Sequence, residues 1–146
     1  ELFAECAAEG LRMAIVTTTS RSNVQALLAA QVGADWEARF AAVVCAEDAP
    51  VKKPDPQAYR LVLERLRLRA EQAVAIEDSA MGLAAATAAG IPVVITRSRY
   101  FPDDPVPGAL AVGPSLGMRA GWTPCLDGKS GRVGLADIRH WHETRD

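Results

Sequence analysis

Three short polar clusters carry the side chains of this sequence that could do chemistry. The first is Thr17, Thr18, Thr19 and Ser20, four hydroxyl residues in a row directly after an apolar run. Short hydroxyls beside the free amides of a helix start suit the oxygens of a phosphate group. The plainer reading is capping of that helix by Ser20 or Ser22, which needs one hydroxyl and not four. The second cluster is KKPDP, where Pro54 and Pro56 restrict the backbone and so limit where Lys53 can reach. A positioned ammonium neutralises phosphate charge, whereas a lysine taken singly, as Lys52 is read here, is usually a solvated surface group. The third is Glu77, Asp78 and Ser79. Two adjacent carboxylates repel, and a bound hard cation such as Mg²⁺ explains the pair; capping by Asp78 or Ser79, with Glu77 complementing the helix dipole, explains it equally well.

The elements that hold these clusters follow from the hydrophobic pattern. Apolar runs at 13–16, 41–45, 73–76 and 93–95 are short, lack period-two alternation and alternate with helical patterns, among them Val24, Leu27 and Leu28, then Ala58, Leu61, Val62 and Leu66. A helix over 79–89 stops at Gly90 and Pro92, and an opening helix stops at Gly10. Strands of that kind belong in a parallel sheet covered on both faces, so the expected fold class is α/β, a doubly wound parallel sheet in one domain spanning 1–146. The run at 110–112 offers a further strand, and RVGLADIRHWH a last strand and helix. Each polar cluster then stands at the carboxyl end of a strand, where open α/β sheets bind ligands.

Composition narrows the field. The chain has 146 residues, 49% apolar and 23% charged, which suits one globular domain with a sizeable core. A net charge of −2 provides no field to gather nucleic acid or an anionic membrane. No apolar stretch reaches the length of a membrane span, and the start carries no signal-peptide pattern. Cys6, Cys45 and Cys125 are odd in number and scattered, so they read as reduced thiols of a cytoplasmic protein, and His140 and His142 read as surface residues.

The order IVTTTS, VKKPDPQAY, AIEDSAMGLAAATAAG resembles motifs two to four of the haloacid dehalogenase superfamily of phosphohydrolases, with the EDSxxGxxAAxxAG pattern matched throughout. Within it, TTTSRSN and TRSRYF are similar to the sugar-bisphosphate phosphatases, those of xylulose bisphosphate included. The resemblance runs from about Leu11 to Phe101 and more weakly through RVGLADIRHWH. It implies a Rossmann-like core acting on a small phosphorylated sugar. Thr17, helped by Thr18 and Thr19, would bind the phosphoryl group, Lys53 would stabilise its charge, and Asp78 with Glu77 would hold Mg²⁺. Arg21 and Asn23 would contact the rest of the substrate.

The family's aspartate nucleophile, in a DxDG motif on the central strand, has no counterpart, since residues 1–16 contain no aspartate. The helical cap has none either. The resemblance therefore implies a partial core, the C-terminal portion of a larger enzyme, with negligible activity alone. The strands at 13–16 and 73–76 would face a gap, to be closed by pairing with each other, by another segment, by the missing N-terminal half or by a partner's strand. Two other readings remain: a non-catalytic remnant that binds phosphorylated sugars, and a signalling receiver domain, although receivers place their acidic pair before the hydroxyl and lysine.

Overall fold

Five short parallel strands and five helices alternate along the chain in a computed structural model that describes residues 1–103, 105–128 and 130–145. Helix α1 (Leu2–Ala8) leads through Gly10, whose φ of 66° is the left-handed conformation that ends a helix cheaply only in glycine. Strand β1 (Ala14–Val16), helix α2 (Arg21–Val32) and strand β2 (Ala42–Val44) form the first unit. Helix α3 (Gln57–Leu66), strand β3 (Ala75–Glu77), helix α4 (Ala80–Ala88) and strand β4 (Val93–Thr96) continue it. Strand β5 (Ala111–Gly113) and helix α5 (Leu135–Glu143) close it. The expected strand ahead of α5 is not formed: Val133 makes one backbone bond, to the Leu116 carbonyl at 2.8 Å, and its side chain is buried as core.

Strands β2 and β4 are buried on both faces, which is why their sequences do not alternate, whereas β1 is only partly buried and β3 leaves Ile76 41% exposed. In β2, Ala42 and Val44 join the core under α3 and α4, whereas Val43 and Cys45 join Val24 and Trp36 on the side of α2. In β4, Val93 and Ile95 face the first of these cores, and Val94 packs with Ala111, Ile138 and the stacked pair Trp122 and Trp141, whose rings lie 4.8 Å apart.

The parallel sheet expected from the pattern is divided into two, at the gap expected between the strands at 13–16 and 73–76. β1 pairs only with β2, and β3, β4 and β5 pair in that order. Each of β1 and β3 therefore keeps one edge without a strand partner among the described residues. Between these edges lies a cleft of about 580 Å³, lined by both strands and by Leu63, Leu66 and Ile138. The two edges do not pair with each other; α3 packs against β1 and β2 and also meets α4.

Helix α1 spans the mouth of this cleft. Phe3 meets Phe40 edge-on at 5.4 Å on the β1 side. On the other side Glu5 accepts from the Leu135 amide at 2.7 Å and pairs with Arg132, while Glu9 pairs with Arg139. The Leu135 amide first, and then the Arg132 guanidinium, hold the Glu5 carboxyl below its usual value.

Candidate functional site

Lys53 ties the two sheets together at their carboxyl ends. Its ammonium donates to the carbonyl of Val16, the last residue of β1, at 3.2 Å, and to the Glu77 carboxylate, the last residue of β3. Thr17 directly follows Val16 and Asp78 directly follows Glu77, so hydroxyl, amine and carboxylate from three loops share one rim of the fold. The contact is well shielded, with the Lys53 and Glu77 side chains 12% and 10% exposed.

The bland explanations of the two capping clusters account for some of their residues and release the others. Ser20 is the N-cap of α2 and accepts from the Asn23 amide at 3.3 Å. Ser79 is the N-cap of α4 and accepts from the Gly82 amide at 3.2 Å. Neither Thr17, Thr18 nor Asp78 is thus needed to cap. Thr17 continues the ladder through its amide to the Val44 carbonyl at 3.0 Å, and its hydroxyl accepts from the Thr19 amide at 3.2 Å, which folds the loop over the strand end. The Asp78 carboxylate and the Thr18 hydroxyl bond to no other side chain or amide among the described residues.

The remaining residues take other places. Arg21 is turned toward β2, where its guanidinium pairs with Glu37 at 3.0 Å and Asp48 at 3.3 Å and donates to the Val43 carbonyl at 3.2 Å. It is a framework residue in this structure and reaches no group of the Lys53 site. Asn23 donates to the Thr19 hydroxyl at 3.1 Å and so braces the threonine loop from α2. His142 is spent on the Glu71 carbonyl at 2.9 Å.

Glu77 departs most from its expected part. One oxygen, Oε1, accepts from both Lys53 and the Tyr59 hydroxyl, and the carboxylate lies against Gly82, where a Cβ would stand 2.0 Å from Oε2. Both of these bonds fall on Oε1, and Oε2 has no hydrogen-bond partner among the described residues. Mg²⁺ demands six oxygens in near-octahedral order, and among the described residues no group of three or more His, Cys, Asp and Glu side chains could hold a metal. Asp78 keeps a carboxylate without a hydrogen bond or ion pair among the described residues, one side chain toward an ion that usually takes one or two carboxylates and completes its shell with water and phosphate oxygens.

Tyr59 and Gly82 stand within the motifs VKKPDPQAY and EDSxxGxxAAxxAG, and the structure adds them to the site. Tyr59 lies in the first turn of α3 and is buried, with its ring face 5.0 Å from the Lys53 amine. Burial, and then the neighbouring carboxylate, push its phenol well above the usual value, so it donates to Glu77 across the neutral range. Its place beside the apolar positions of α3 disguised it as core.

The chain is similar to known proteins over most of its length. The family described as haloacid dehalogenase-like hydrolase matches residues 1–90. Protein CbbY of Cupriavidus necator is 48% identical over 143 residues, which is 97% of this chain and 56% of that protein. A crystal structure of CbbY from Rhodobacter sphaeroides in complex with phosphate superposes with a TM-score of 0.72 at 39% identity, covering 74% of this chain and 48% of that one. A variant of the same protein, in complex with xylulose-(1,5)bisphosphate, superposes equally well, with a TM-score of 0.72. The chain spans about half the length of the curated relatives it matches, 56%, 46% and 47% of the first three. The 143-residue match also carries the likeness through the tail containing α5. Among the described residues no helix is long and apolar enough to cross a membrane.

Proposed function

The chain belongs to the haloacid dehalogenase-like hydrolases, and on that premise we propose that it is the phosphate-holding part of a phosphatase for small phosphorylated sugars. The observation that carries the reading is the reach of Lys53 from the end of β1 to the end of β3, beside Thr17 and Asp78. A phosphoryl group seated there meets the Thr17 and Thr18 hydroxyls and the one N–H that Lys53 has left, all of them donors suited to phosphate oxygens. Positioning and charge stabilisation of this kind are most of what a protein contributes to phosphoryl transfer. The sugar-phosphate class follows from the likeness to the xylulose bisphosphate complex of CbbY.

The bond-breaking carboxylate is not among these residues. The cleft between β1 and β3 has two strand edges without partners among the described residues, and a strand inserted between them would join β2, β1, β3, β4 and β5 into one sheet. We assign the missing carboxylate to such a strand, from the N-terminal half that the resemblance implies or from a partner. Mg²⁺ would be bound only then, with Asp78 as this chain's ligand. The likeness to haloacid dehalogenase-like hydrolases, with hydroxyls and lysine preceding the acidic pair, leaves the receiver reading without support.

The 146-residue chain alone is therefore expected to show no Mg²⁺-dependent hydrolysis of sugar bisphosphates above buffer. Turnover that disappears in Asp78→Ala would refute this. Supplying the N-terminal half of a CbbY relative in trans should restore turnover, and failure to do so in a complex that forms would count against the cleft as the entry point of the missing strand.

A further inference from the structure

A lysine ammonium has three N–H bonds and, on an exposed flexible stem, no fixed direction for any of them. In Lys53 two are spoken for, by the Val16 carbonyl at 3.2 Å and by Oε1 of Glu77. The same Oε1 accepts from the Tyr59 hydroxyl, and the Tyr59 ring face lies 5.0 Å from the amine. Glu77 is itself backed by Gly82, close enough that a Cβ there would stand 2.4 Å from its carboxyl carbon. Carbonyl, carboxylate and ring thus form three supports under the ammonium, and tetrahedral geometry fixes where the remaining N–H points.

We propose that Tyr59 is a positioning residue of the phosphate site: its hydroxyl holds Glu77, its ring supports the amine, and together they aim the last N–H of Lys53 at a phosphoryl oxygen. The assignment rests on the reading above that Lys53 meets a phosphate. Were Tyr59 only core filling, Phe would serve equally well, because the ring and its packing would remain.

The test uses the whole chain and two readouts, the ¹⁵N-detected ammonium signal of Lys53, assigned by its loss in Lys53→Met, and the affinity for inorganic phosphate by calorimetry. An ammonium signal survives solvent exchange only when hydrogen bonds hold the group. Tyr59→Phe is expected to broaden or erase the signal and to weaken phosphate binding roughly three- to tenfold, because the lysine must again be ordered on binding. An unchanged signal and wild-type affinity in Tyr59→Phe, with binding lost in Lys53→Met, would overturn the proposal while leaving the phosphate site in place. Wild-type affinity in Lys53→Met would instead overturn the phosphate reading and this proposal with it. Should Tyr59→Phe not fold in plain buffer, the same two readouts are taken on it in an osmolyte such as sucrose, which stabilises the folded chain without touching Lys53, and they decide in the same way.

Discussion

Gly82→Ala sets two effects of opposite sign against each other. Gly82 is the third residue of α4, where replacing glycine by alanine ordinarily stabilises by up to about 1 kcal/mol through helix propensity. Here the added Cβ would lie 2.0 Å from Oε2, 2.4 Å from Cδ and 3.0 Å from Cγ of Glu77, so the carboxylate must leave its place. Leaving means parting from Lys53 and Tyr59 in surroundings where the pair's side chains are 12% and 10% exposed. Separating a buried pair costs about 3–5 kcal/mol, so the net loss is about 2–4 kcal/mol. For a domain of this length that is a fall in Tm of roughly 5–15 °C. Urea unfolding followed by the fluorescence of Trp36, Trp122 and Trp141 measures it directly. In a Glu77→Ala background the same substitution meets no carboxylate, and the sign should revert to a gain of up to about 1 kcal/mol. A Gly82→Ala chain as stable as the wild type, or a loss of equal size in both backgrounds, would refute the reasoning.

Stability should fall in acid through Asp48, whose carboxyl the Arg65 guanidinium, and then the Cys45 amide, hold below the ordinary value of 3.8. A group with a lowered folded pKa stabilises at pH values above the unfolded value and loses this as pH drops through the folded one, so the urea midpoint should decline from about pH 4 downward, and less steeply in Asp48→Asn. Glu5→Ala removes the acceptor of the Leu135 amide and a partner of Arg132, so α1 should detach first, seen as protease cleavage near Gly10 at concentrations that spare the wild type. Added Mg²⁺ at about 10 mM should raise the Tm of the chain alone by less than about 1 °C, since a lone carboxylate, with water in the remaining positions, binds the ion weakly; a larger shift lost in Asp78→Ala would show a complete site.

The pattern of apolar runs and breakers was enough to place every strand that forms up to β5 and the helix after each polar cluster, because parallel strands buried on both faces and helices of period 3.6 leave separate traces. The strand expected before α5 failed for a reason the pattern conceals. Val133 is apolar because it fills the core beside Trp122 and Trp141, and a buried loop residue looks the same in sequence as a buried strand residue.

Types and order of side chains pointed to one kind of chemistry: hydroxyls, an amine and a carboxylate at successive strand ends, a set suited to the oxygens of a phosphate group. Their partners were decided only by the packing of distant segments. Lys53 meets Glu77 across 24 residues and Val16 across 37, Tyr59 crosses from α3 to the end of β3, and Arg21 is drawn away to Asp48. A carboxylate's charge is written in the sequence, but whether it holds a cation or a lysine depends on which donor folding brings within hydrogen-bond reach, and that is a property of the two sheets and the cleft between them.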